Sequence, residues 1–114
     1  MVGFFNSAAK KADGSFYQDV FFKSPAGLCI LTHPDFEIKL VNESFAKIFG
    51  KTKRDITGKL FVCIWEKCPE RDIFFTTLRK EGAVNGVVYG GILFSGAVLD
   101  EGNYIISAIR IKKE

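Results

Sequence analysis

FFKSPAGLCILTHPDFEIKLVNESFAKIFGKTKRDITGKLF, residues 21–61, decides the fold of this 114-residue chain. Ser24-Pro25 ends a helix, because proline pushes the residue before it out of the helical region. Leu28 to Thr32 reads as a strand, His33-Pro34-Asp35 as a turn, and Phe36 to Val41 as a second strand. Together they make a hairpin. Asn42 is a good N-cap, with Phe45, Ile48 and Phe49 at i, i+3 and i+4 after it and Gly50 where a helix stops. Thr52 and Asp55 repeat the capping pattern on a shorter scale, closed by Gly58. The apolar run 60–66 is open between a strand and a helical turn.

Upstream, Ser15 is a helix cap with Gln18 at the third position. Phe16 and Val20, and Tyr17 and Phe21, are each four apart and build one wide apolar face. Residues 1–14 are expected to be a flexible lead-in, and 15–114 a single domain. Downstream, Cys68-Pro69 opens the longest helix, to residue 80, with Ile73, Phe74, Thr77 and Leu78 as its apolar stripe. Acidic Glu70 and Asp72 lie at its positive end, and Arg79 and Lys80 at its negative end. Three strands follow: Val84 to Tyr89, Ile92 to Leu99 and Tyr104 to Ile111. The fold class is α+β with one antiparallel sheet, which the first hairpin must share, since a lone hairpin is marginal. The late strands are apolar on both faces. One face can pack on the chain's own helices. The other needs a cover: the helix near Phe16, a second copy of the chain, or both.

Composition narrows the class. Hydrophobic residues make up 47% and charged residues 25%, an average globular balance that excludes disorder, collagen and coiled coils. No apolar run approaches the roughly 20 residues that cross a bilayer. The early Lys pair follows the first apolar patch, the reverse of a signal peptide. Three cysteines give no disulfide framework, so a reducing, cytoplasmic setting is expected. The net charge is +3, and Glu43 and Asp55 interrupt the densest basic stretch, so it reads as a solvated face and not as a nucleic-acid patch.

The stretch 21–61 resembles the first half of a PAS domain. The resemblance rests on SPAG, the hairpin, Val-Asn before the first core helix, Phe-Gly at its end and Asp-Ile-Thr-Gly-Lys at 55–59. Helix 69–80 followed by three strands extends it over residues 15–111. It implies a five-stranded antiparallel sheet with short helices and one longer helix on one face, plus an N-terminal amphipathic helix. It also implies a small pocket under the short helices, a sensory role and dimerisation through the N-terminal helix and the outer face of the sheet. Many PAS domains leave the last strand through Asp-Ile-Thr. Here Ser107-Ala108-Ile109-Arg110-Ile111-Lys112 departs from that motif, which sets coupling through it aside.

The resemblance makes Asn42, Phe45, Phe49, Phe61, Trp65, Phe74 and Phe75 pocket candidates, although capping explains Asn42 and core packing explains the aromatics. Cofactor signatures are missing. The flavin run Asn-Cys-Arg-Phe-Leu-Gln does not occur, no histidine lies in 69–80 for haem, and an iron–sulfur cluster wants four thiolates where three exist. The single histidine, His33, falls in a turn, and no ligand set for a metal stands out. Cys68 is placed like the chromophore cysteine of cinnamate-bearing light sensors of this fold. Val41 and Phe45 stand where those sensors need tyrosine and glutamate. Cys68 at a helix N-terminus, with Cys63 five residues away, also allows a thiol redox switch; an N-cap and a core residue are the plainer account. No catalytic set can form around one turn histidine. The expectation is a non-enzymatic cytoplasmic sensory and dimerisation module of a bacterial histidine kinase or transcription regulator. Phe16, Tyr17, Val20 and Phe21 would lie at the homodimer interface, with a downstream effector and a small-molecule ligand as further partners. Neither nucleic acid nor membrane is expected as a partner.

Overall fold

A computed structural model describes residues 16–111; the expected lead-in and the Ser15 cap lie outside them. The chain runs α1 (16–23), β1 (Gly27–Thr32), β2 (Glu37–Val41), α2 (Glu43–Ile48), α3 (Lys53–Ile56), a 3-10 turn (Phe61–Cys63), α4 (Pro69–Glu81), β3 (Ala83–Tyr89), β4 (Ile92–Asp100) and β5 (Asn103–Arg110). The five strands form one antiparallel sheet in the order β2-β1-β5-β4-β3. The N-terminal hairpin therefore joins the last three strands along β1 and β5, from Gly27 opposite Ala108 to Thr32 opposite Asn103. The expected α+β sheet is the observed one.

Side chains alternate across this sheet. Cys29 and Leu31 of β1, Phe94 of β4, and Tyr104, Ile106 and Ala108 of β5 are buried on the face that α2 and α4 cover. Leu28, Ile30, Ile105 and Ser107 lie on the opposite face, half-buried. The free edge of β2 is closed by the segment after α3. The Gly58 amide donates to the Ile38 carbonyl, the Ile38 amide to that of Lys59, and the Phe61 amide to that of Phe36. The ambiguous run 60–66 thus becomes a 3-10 turn pinned to the sheet edge.

The second strand starts at Glu37, one residue later than its alternation suggests. Phe36 takes φ 59° in the turn, which carries its ring into the core, 4.4 Å from Phe75 and 5.2 Å from Tyr104. Tertiary burial there overrides the local preference against a left-handed aromatic residue. The Gly90-Gly91 turn joins β3 to β4 with both residues at positive φ, as a tight hairpin requires. A bulge in β3 falls around Gly86.

Two features set α2 on the sheet. Gly27 has no room for a side chain: a Cβ would come within 2.8 Å of the Phe45 Cα and 3.0 Å of the Ala108 carbonyl. Asn42 caps α2 and is the only buried polar residue among those described. Its Oδ1 accepts from the Phe45 amide at 2.9 Å and the Leu28 amide at 3.0 Å. Its Nδ2 donates to the carbonyls of Phe21 at 2.9 Å and Ala26 at 3.1 Å. An asparagine amide has two acceptor and two donor positions, and all are used. Asn42→Ala, which strands the Phe45 amide in the core and removes the cap, is expected to cost about 3 kcal/mol in urea unfolding. Gly27→Ala, which presses α2 off β1, is expected to cost about 1–3 kcal/mol.

Candidate functional site

The space between the short helices and the sheet is filled by aromatic rings. Phe45, Phe61 and Phe74 are fully buried, and Trp65 and Phe75 nearly so. The Trp65 indole stacks on Phe94, with centroids 4.1 Å apart and planes 17° from parallel. Phe61 meets Phe75 edge to face at 5.4 Å, and Phe74 meets Phe75 in the same way at 5.1 Å. Such pairs add about 0.5–1.5 kcal/mol each beyond the area they bury. The expected pocket residues are therefore brought together, but mainly against one another. Asn42 is beside them with no hydrogen-bonding position left for a ligand.

The open volume lies at the edge of this cluster. A recess of about 240 Å³ is walled by Phe49, Ile64, Trp65, Tyr89, Ile92 and Phe94. Phe49 and Trp65 are the two sequence candidates that reach it. Trp65 is held from behind by Arg71, whose guanidinium donates to the Trp65 carbonyl at 2.8 Å. The indole Nε1 is sealed from water and has no hydrogen-bond partner. An unmet buried donor of this kind costs about 1–3 kcal/mol. Across the rim, the Tyr89 hydroxyl donates to the Glu66 carboxylate.

That bond has an electrostatic signature. Donation to Glu66, with lesser contributions from desolvation and from the Glu66 charge, pushes the Tyr89 pKa up from 10.0 to about 12. The folded state thus favours the neutral phenol. The stabilisation is fully present below pH 10 and is lost as pH rises through about 12. Periodicity alone does not reveal Tyr89, Glu66, Ile64, Ile92 or Phe94 as a group. Phe94 is readable as an inward strand position, but Glu66 and Tyr89 are 23 residues apart and meet only in the fold.

The remaining candidates fall elsewhere. Cys29 is buried, and burial pushes its thiol pKa up. Cys68 is the N-cap position of α4, half-buried and packed against the core, and its side chain makes no capping hydrogen bond. Cys63 is exposed on the 3-10 turn. His33 is an exposed turn residue whose Nδ1 is 3.2 Å from the Tyr104 hydroxyl. Among the described residues, no group of three or more His, Cys, Asp or Glu side chains could hold a metal ion, and no helix is long and apolar enough to cross a membrane.

On the outer face, α1 and the sheet enclose a second, larger groove of about 400 Å³. Tyr17, Val20, Phe21, Leu28, Leu40 and Leu99 line it. Phe16 and Phe21 are half-buried, while Tyr17 and Val20 are 57% and 54% exposed. Of the covers foreseen for this face, α1 is present and leaves part of the face exposed.

A family profile described as PAS domain matches residues 15–80. The chain belongs to the PAS domain family. Solved structures agree on the fold. An RNA-binding light-oxygen-voltage receptor is 12% identical with a TM-score of 0.72, over 89% of this chain and 34% of its own. This PAS domain thus spans about a third of that receptor's length. The PAS domain of an HTR-like protein from Haloarcula marismortui is 16% identical with a TM-score of 0.65, over 93% and 98% of the two chains. The PAS domain of a LuxR-family transcriptional regulator from Burkholderia thailandensis, solved in complex with ethanol, is 18% identical with a TM-score of 0.61, over 82% and 95%. No curated protein matches the chain in sequence. Where many PAS domains carry Asp-Ile-Thr, this one ties its last strand inward: Arg110 donates to the Ile48 carbonyl at 2.9 Å, and the Ile111 amide to that of Gly91 at 2.8 Å.

Glu66→Ala is expected to bring the Tyr89 titration, followed by its ring-carbon resonance, from about 12 down toward the ordinary 10.0. An unmoved midpoint would remove the carboxylate as its cause.

Proposed function

We propose that this PAS domain is a non-catalytic sensory and dimerisation module of a cytoplasmic bacterial signalling protein, a sensor histidine kinase or a transcription regulator. A small molecule is its input and a homodimer contact its output. The observation that carries this reading is the outer face. There an amphipathic helix only half covers an apolar sheet, and Tyr17, Val20, Leu40 and Leu99 remain exposed around the groove. Exposed apolar area of this kind marks an association surface. The two-sided apolar pattern of β1, β4 and β5 supports it independently, since a sheet face in contact with water is ordinarily polar. Support for the input comes from the fold. The similar PAS domain of the Burkholderia regulator holds ethanol, and the edge recess here offers apolar walls.

A ligand passes a signal only through unequal affinity for two states of the protein. The output states are the free and the paired outer face. The purified protein is expected to run as a dimer in sedimentation and in native mass spectra. Val20→Glu places a charge on the exposed flank of α1 without touching the core. It is expected to weaken the dimer at least about tenfold, roughly 1.4 kcal/mol, with an unchanged unfolding midpoint for the monomer. A wild-type chain that stays monomeric at high concentration, or a Val20→Glu variant with the wild-type sedimentation profile, would sink the association surface.

A further inference from the structure

The sheet has two outer edges, and the chain closes only one of them. Along β2 the segment after α3 takes up the free backbone groups, through the bonds of Gly58, Lys59 and Phe61, and Glu37 and Lys39 set charges on the strand. Along β3 nothing comparable is present. Among the described residues, the backbone of β3 bonds to β4 and to no other element. Its sequence, AVNGVVY, carries neither charge nor proline, and Ala83, Asn85, Gly86 and Val88 are exposed. An open row of N–H and C=O groups recruits another strand unless charge, proline, a bulge or a cover blunts it. Here only the bulge at Gly86 is present.

The pairing with β4 shows which groups face outward. The Val98 amide donates to the Gly82 carbonyl at 2.9 Å. Bonding alternates along an antiparallel ladder, so Gly82 and Val84 are bonding positions and Ala83 turns its N–H and C=O to the open edge. At the other end, Tyr89 and Ile92 flank a two-residue turn and bond to each other, as do Val87 and Phe94. Val88 is therefore the outward position there, and its side chain is 49% exposed.

Two features single out the strand that fits. The bulge bends β3 and sets the distance between the outward groups of Ala83 and Val88. A copy of β3 run antiparallel carries the same distance by identity. Ala83 of one chain then stands opposite Val88 of the other at both ends of a twofold contact, and each pair exchanges two backbone bonds. A homotypic contact also sets like residues near like residues, and like charges across a strand pair repel. The uncharged β3 escapes that penalty.

We infer that the β3 edge is a second homotypic contact, separate from the outer face, through which two copies pair their β3 strands antiparallel and join their sheets edge to edge. This goes beyond the outer-face dimer and does not depend on it.

The test uses Val20→Glu, in which the outer-face contact is weakened. Its association is followed by sedimentation up to millimolar concentration, together with amide hydrogen exchange. This variant is expected to pair at high concentration. Exchange at Ala83 and Val88 is expected to slow as concentration rises, while Val87 and Tyr89, already bonded to β4, stay unchanged. Adding Val88→Pro removes the outward N–H, a change that an open edge tolerates. It is expected to weaken the pair at least about tenfold. Adding Val88→Thr instead keeps the N–H and loses the apolar side chain, and is expected to leave pairing unchanged. Monomers at millimolar concentration with fast exchange at Ala83 and Val88 would overturn the contact. Slow exchange at Val88 that does not vary with concentration would overturn the second copy as its occupant. Full pairing in a folded Val88→Pro variant, or lost pairing in Val88→Thr, would overturn strand addition. The exchange readout decides the matter even where Val88→Pro does not fold.

Discussion

Asn42 is buried at the meeting point of four backbone segments, and the architecture depends on its side-chain amide. Through one carboxamide it holds the last turn of α1 at Phe21, the loop at Ala26, the start of β1 at Leu28 and the first turn of α2 at Phe45. A second tie runs parallel to it, from the Ser44 hydroxyl to the Ser24 carbonyl at 2.8 Å. Burying an amide is unfavourable unless every polar atom is paired, and here every one is. The consequence is geometric. Because α1 and α2 hang on the same residue, the helix on the outer face and the helix over the core are fixed to one corner of the sheet. Gly27 lies at that corner, and its missing side chain lets the α2 backbone approach β1.

This corner was legible in the sequence, and the reason is its locality. Asn42 before an i, i+3, i+4 apolar set is a capping signal over a few residues. Ser24-Pro25 is a helix stop, and the Cys68-Pro69 start of α4 is another local signal. The strands were readable because their alternation survives wherever one face is buried. The misses have a common physical character. Phe36 takes a left-handed backbone because its ring is needed beside Phe75 and Tyr104, whose positions no local pattern fixes. The aromatic candidates for the pocket meet in the fold, yet sequence spacing does not tell a ring that lines a space from one that fills it. Tyr89 and Glu66 lay outside the grouping altogether, since their contact is created by the sheet order and the placement of the 3-10 turn.

Ten of the twelve phenylalanines lie among the described residues, and most of these pack together in the core. Rings from α2, the 3-10 turn, α4 and β4 interlock beneath the short helices. Edge-to-face and stacked pairs fill the space between the short helices and the sheet. The open space is displaced to the sheet edge, against the β3–β4 hairpin, where the chain turns on two glycines instead of a helix.

The edge recess and the outer groove share one strand. Ile92 and Phe94 of β4 wall the recess, and Leu99, at the far end of the same strand, lines the groove beside α1. Coupling between two sites needs an element with two arrangements that both sites bias. β4 satisfies the spatial part of that requirement. It is bonded to β5 along its length, with an irregularity between Val98 and Asp100 next to the groove and the Gly90-Gly91 turn next to the recess. β5 is tied to the C-terminal end of α2 by Arg110, whose guanidinium donates to the Ile48 carbonyl. The last residues of β5 lie directly beside the recess: Arg110 pairs with Ile92, and the Ile111 amide donates to the Gly91 carbonyl. The Asp-Ile-Thr exit used by many PAS domains lies on that same strand.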